Sequence, residues 1–163
     1  MANGDADMWF VDTNVLVYAS IAQAPLHTVA LTRLQQLARL GATLWISRQV
    51  LREYLAVVTR PQDWSAPQPL ERAVARVRYF QRCFRVADET TEGTSRLLAL
   101  LRTIPARGAQ IHDANIIATM QVYGIQQLLT GNEDDFARFA SVITVVPIES
   151  LSGPTPTATV HPQ

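Results

Sequence analysis

The sequence predicts a three-layer α/β/α domain built on a mostly parallel central sheet. Three observations lead there. Short strand-like runs alternate along the chain with longer segments of helical period. The first run, Met8–Val11, is continuously apolar rather than alternating, as in strands buried on both faces of a parallel sheet. No internal repeat and no linker divides the 163 residues, a length that suits one hydrophobic core. The expected organisation is a flexible N-terminus over 1–7, one domain over 8–150, and a disordered Pro/Ser/Thr-rich tail over 151–163.

Taken in order, Met8–Val11 is the first strand, and Asp12, Thr13 and Asn14 open the next helix. Leu26, Ala30, Leu34 and Leu37 mark a helix from Pro25 to Leu40, which Gly41 ends. Ala42–Ile46 reads as the second strand, and Ser47 as the N-cap of a helix through Thr59 with the stripe Val50, Leu51, Tyr54, Leu55 and Val58. Prolines make 61–69 a loop that carries Trp64. An amphipathic helix spans Leu70–Cys83, followed by a short strand, Phe84–Ala87. Thr90 or Thr91 caps a helix that Pro105 closes, and another runs from near His112 to Tyr123, ended by Gly124. Gln127–Thr130 is a strand, Gly131–Asp135 opens a short helix, and Val142–Pro147 is the last of about five strands.

The composition, 48% hydrophobic and 17% charged with net charge zero, is that of a globular chain with no global field toward nucleic acid. No apolar run approaches the ~20 residues of a membrane span, and the start does not read as a secretory signal. The lone Cys83 excludes an internal disulfide and any cysteine-based zinc site. A cytoplasmic location is therefore expected. All 14 basic residues are Arg. The absence of Lys removes Walker-type phosphate loops, Schiff bases and receiver-domain phosphotransfer.

Four carboxylates stand out by position. Asp12 ends the first strand, Asp113 lies in the first turn of its helix, Asp135 starts the helix after Thr130, and Glu53 flanks an apolar stripe. Strand ends and helix N-termini converge on one edge of a parallel sheet. Each acid also has an ordinary explanation, in capping, dipole stabilisation or solvation beside Arg52. Gathered together, acids repel unless a cation joins them. Hard oxygen donors suit Mg²⁺ or Mn²⁺, and such sites favour phosphodiester hydrolysis.

The motifs Phe10-Val11-Asp12-Thr13-Asn14-Val15-Leu16, Glu53, Arg107-Gly108-Ala109-Gln110-Ile111-His112-Asp113-Ala114 and Leu129-Thr130-Gly131-Asn132-Glu133-Asp134-Asp135-Phe136 follow in this order. The pattern resembles the PIN-domain ribonucleases, especially VapC-type toxins of bacterial toxin–antitoxin pairs. It covers roughly residues 8–148. The resemblance implies a Mg²⁺- or Mn²⁺-dependent endoribonuclease, a homodimer, and inhibition by a small antitoxin. It assigns Asp12, Glu53 and Asp113 as the core acids and Asp135 as the acid of the last motif, all metal-binding and catalytic. It gives Asn14, Thr130 and Asn132 to the positioning of water or phosphate. Asn132 departs from the acid common at that place, which leaves one metal or two open.

Other residues carry competing readings. Arg72 and Arg76, with Arg78 and Arg82, form either a solvated helix face or a strip for RNA phosphates, and Arg107 joins them as an RNA contact. His112 points about 100° from Asp113 on the helix, so a packing or hydrogen-bonding role is expected rather than general base. His27 is expected exposed and Cys83 buried. Trp64 either folds back onto the domain or grips a partner. A phosphatase of haloacid-dehalogenase type fails because Asn14 stands where its second aspartate belongs and the lysine is missing. The alternatives that remain are an RNA-processing nuclease of the same fold without an antitoxin, and an RNA-binding module without catalysis.

Overall fold

In the computed structural model the chain is described over residues 7–150. The flexible start and the disordered tail expected from the sequence therefore lie outside the described residues, apart from Asp7. Asp7 is fastened: its carbonyl accepts the Thr43 N–H at 2.8 Å, and its carboxylate accepts the Trp9 indole N–H at 2.8 Å.

The elements are β1 (Met8–Val11), α1 (Thr13–Ser20), α2 (His27–Arg39), β2 (Thr43–Ser47), α3 (Arg48–Val58), α4 (Leu70–Cys83), β3 (Arg85–Ala87), α5 (Thr91–Thr103), α6 (Gln110–Val122), β4 (Gln127–Thr130), α7 (Glu133–Phe136) and β5 (Thr144–Pro147), with a 3-10 turn at Ala137–Phe139. The five strands form one sheet in the order β3-β2-β1-β4-β5. Every pairing is parallel. Helices cover the sheet, as the three-layer reading requires.

β1 is the middle strand because its residues tolerate burial on both faces. Phe10 and Val11 are fully buried, and Trp9 nearly so. Phe10 lies between Trp45 of β2 and Leu128 of β4. Burying side chains of this size contributes about 1.5–3 kcal/mol each. The core closes around Ile46 and Leu129 of the sheet and Leu16, Ile116, Ile117, Met120, Phe136 and Phe139, which α1, α6 and the last turns bring onto it.

Local signals set the boundaries. Ser47 caps α3, its hydroxyl accepting the Val50 N–H at 3.3 Å, and Thr90 caps α5 through the Gly93 N–H at 3.1 Å. Gly41 and Gly124 end α2 and α6 with φ of 81° and 69°, a backbone region that glycine enters without penalty. α6 starts at Gln110, two positions before the expected His112, because Gly108 (φ 57°) turns the chain immediately upstream. Cys83 is exposed, contrary to expectation: it is the last residue of α4, one turn beyond the buried Phe80, where the helix end is uncovered. His27 is half-buried rather than exposed, its Nδ1 lying 2.9 Å from the Tyr18 carbonyl. Among the described residues no helix is long and apolar enough to cross a membrane.

Candidate active site

β1 sits where the strand order divides, with β2 on one side and β4 on the other. Clefts in parallel sheets open beyond the carboxyl ends of strands at such a point. A cleft of about 440 Å³ opens here, and Asp12, Glu53, Asp113 and Asp135 all line it. Four acids spread over the sequence thus share one space.

Asp12 follows β1 directly and caps α1. One carboxylate oxygen accepts the Thr13 N–H at 2.7 Å, the other the Thr130 hydroxyl at 2.8 Å. Only 7% of the residue is exposed. Burial pushes its pKa up to about 7. The hydrogen bonds from Thr130 and Thr13 oppose that rise, and the charges of Glu53 and Asp113 add to it.

Glu53 projects from α3. Thr13 donates its hydroxyl to Oε2 at 2.8 Å, and Gln49 donates to Oε1 at 2.7 Å. Arg52 does not accompany it but turns to Glu89 at 2.6 Å. Asp113, half-buried on α6, has its pKa raised to about 6 by burial, then by Asp135 and Glu53, while Arg138 lowers it. Arg138 is held by the Gln110 side chain at 2.9 Å and the Pro105 carbonyl at 3.2 Å. Asp135 is exposed and accepts the Asn132 amide at 2.6 Å.

The polar residues named from the sequence divide. Asn14 lines the cleft, and its carbonyl oxygen accepts the Gly131 N–H at 2.9 Å, tying α1 to the turn after β4. Thr130 is fully buried and does not line the cleft. Its hydroxyl serves Asp12 and accepts the Asn132 N–H at 3.0 Å. Asn132 is likewise outside the cleft lining and orients Asp135. Arg72, Arg76 and Arg107 are exposed and do not line the cleft. Arg76 stacks over Tyr79 at 5.7 Å. The imidazole of His112 is exposed rather than packed; it is the His112 carbonyl that is used.

Sequence reasoning missed Gln49. It is buried, with 5% exposure, and its amide nitrogen donates both to Glu53 and to the His112 carbonyl (2.9 Å). Its amide oxygen accepts from Asn115 at 2.7 Å. One side chain thus locks α3, which carries Glu53, to α6, which carries Asp113. The available signal was a glutamine one turn before Glu53, facing the same way. Arg60, Gln62 and Trp64 were not placed in the cleft either, yet all three line it.

The donor set is entirely hard oxygen, and burial with mutual repulsion raises two of its acids. A divalent cation relieves that repulsion, so the residues fit Mg²⁺ or Mn²⁺ in kind. They do not form a closed shell as they stand: among the described residues, no three His, Cys, Asp or Glu side chains are grouped so as to hold an ion. Asp12 and Glu53 are instead turned onto protein donors.

The PIN domain profile matches residues 9–142. No curated protein matches the chain in sequence. Several solved structures share its fold. VapBC2 of Rickettsia felis, bound to a fragment of its promoter DNA, superposes with a TM-score of 0.62 at 22% identity, covering 86% of this chain and 98% of that one. VapC20 of Mycobacterium tuberculosis, a toxin that cleaves the sarcin–ricin loop, gives 0.60 at 21% identity, covering 79% and 93%. A toxin–antitoxin complex from Klebsiella pneumoniae gives 0.58 at 21% identity, covering 85% and 96%.

Proposed function

The chain belongs to the PIN-domain family, and from that premise we propose that it is a Mg²⁺- or Mn²⁺-dependent endoribonuclease, the toxin of a toxin–antitoxin pair. One observation carries the chemistry: four carboxylates line a single cleft, with Asp12 and Asp113 raised to about 7 and about 6. Shifts of this kind cluster at functional sites. The toxin role draws support from the fold shared with VapBC2, VapC20 and the Klebsiella complex.

Asp12, Glu53, Asp113 and Asp135 would hold the ion. When bound, it supplies charge neutralisation at the phosphodiester and a more acidic attacking water. The chain's own part is orientation. Thr13 directs its N–H to Asp12 and its hydroxyl to Glu53, so one residue sets two acids. Thr130 fixes the second oxygen of Asp12 from the adjacent strand. Gln49 fixes Glu53 against α6.

The test is cleavage of single-stranded RNA in Mg²⁺ or Mn²⁺ by the wild type, by Asp12→Asn and by Asp113→Ala. Loss of cutting in folded variants is expected, and wild-type rates in either would refute the assignment. Titration calorimetry with Mn²⁺ supplies a second readout: no binding at millimolar metal favours a non-catalytic module. The partner part of the proposal, a small antitoxin and a homodimer, is read from co-purification with the product of an adjoining small gene and from the mass of the free protein in solution.

A further inference from the structure

The cleft has a second wall that the acid chemistry does not use. Beyond Glu53 its lining continues along α3 to Arg60 and then through the loop, adding Gln62 and Trp64, with Tyr18 from α1. This loop is fastened. Gln62 and Ser65 exchange backbone bonds at 2.9 and 3.3 Å, the Gln62 amide donates to the Val57 carbonyl at 2.9 Å, and the Gln68 N–H reaches Val58 at 2.8 Å. Trp64 therefore sits in a tethered turn.

Tyr18 is fixed as well. A Cβ at position 131 would come within 2.9 Å of its ring, so the ring rests against the Gly131 backbone, beside the Thr130 that holds Asp12. Trp64 meets Tyr18 at a steep angle, with centroids 6.5 Å apart and planes at 61°. In that arrangement Tyr18 covers at most one face of the indole. Trp64 folds back onto the domain, half-buried against the core, and its remaining surface borders the cleft. Arg60 is exposed and takes part in no salt bridge among the described residues.

We propose that Trp64, braced by Tyr18 and flanked by Arg60, is a nucleobase subsite that stacks one unpaired base of the RNA beside the phosphodiester to be cut. The proposal rests on the ribonuclease reading and adds to it a base-binding residue outside the carboxylates. Stacking on an aromatic face is sequence-tolerant and suits an unpaired base. A guanidinium on the same wall suits the adjoining phosphate. A basic peptide would also be drawn to the acids, but Arg60 repels it, so the observations favour the nucleic acid.

The experiment uses the full chain carrying Asp12→Asn, which blocks cutting and removes one charge that repels phosphate. Binding of a short, labelled single-stranded RNA is read by fluorescence anisotropy, with and without Trp64→Ala. The same RNA is then tested with a single base removed at each position in turn. Trp64→Ala is expected to weaken binding of intact RNA about 5- to 150-fold, the range of one stacked base. At one position, removing the base should weaken the form that keeps Trp64 equally and abolish any further effect of Trp64→Ala. Trp64→Phe should retain most of the affinity, which separates stacking from damage to the fold. Equal binding with and without Trp64→Ala overturns the proposal. So does a Trp64→Ala loss that persists whichever base is missing, or absence of RNA binding altogether. Wild-type cleavage keeps the two readings apart. Base-dependent binding without cutting sinks only the nuclease, and cutting without a Trp64 effect sinks only the subsite.

Discussion

Two neighbouring strands of the sheet end in the same way but with different electrostatics. β1 runs into Asp12 and α1, β2 into Ser47 and α3. Both caps have extended backbones, with ψ of 155° and 170°, and both are buried. Ser47 meets its capping duty with a neutral hydroxyl. Asp12 meets the same duty with a carboxylate that burial and two nearby acids push up to about 7. Serine or asparagine caps a helix about as well as aspartate. Capping therefore explains Ser47 completely and leaves the charge at Asp12 unexplained. The fold is better served without it, and the proposed cleft chemistry accounts for it.

The sharpest way to break this contrast is Asp12→Asn. It keeps a capping oxygen and removes the charge, so cleavage should fall by at least about a hundredfold. Without divalent metal, the same variant should melt at a higher temperature than wild type at pH 8. A lower melting temperature would show that the carboxylate serves the fold after all.

The pH dependence follows from the same comparison. Asp12 and Asp113 have folded pKa values near 7 and 6 against an ordinary 3.8, so the unfolded chain gives up these protons first as pH rises. Stability of the metal-free protein should drop from about pH 4 up to about pH 7, by up to about 4 kcal/mol for Asp12. Mg²⁺ or Mn²⁺ should restore it at pH 8. Thermal melts across that range that stay flat would remove the electrostatic argument. Gln49→Leu comes next. It leaves the His112 carbonyl and the Asn115 amide without their partner, which costs about 1–3 kcal/mol, and frees Glu53, which should slow cleavage about ten- to a hundredfold. Unaltered kinetics would mean that Glu53 does not depend on that brace. Ser47→Ala should have the smallest effect: about 1 kcal/mol in denaturant unfolding, with cleavage unchanged.

Much of this was legible in the sequence because it depends on local rules. The apolar run before Asp12, the caps Ser47 and Thr90, and the glycines after α2 and α6 are each set by residues within one turn. The acids were legible because the ends of parallel strands and the starts of their helices share an edge. What was hidden depends on which helices become neighbours. Nothing within α3 announces that Gln49 meets Asn115 and the His112 carbonyl, since α6 lies far along the chain. The spacing of Arg72 and Arg76 places them on one helix face, but it does not say that α4 contributes no residue to the cleft. Arg60 and Trp64 reach the cleft only through the path of a loop whose bonds are tertiary. Cys83 fell outside the core because a helix end can leave its last turn uncovered.

The distance along the chain between Asp12 and Thr130, 118 positions, also sets a timetable. During synthesis, Asp12 emerges 118 positions ahead of its partner on β4, and ahead of the acid at position 135 as well. A partly made chain carries the first carboxylate without the strand that fixes it. No N-terminal fragment that stops before β4 contains the completed acid wall, and the cell meets that wall only after translation has passed Asp135.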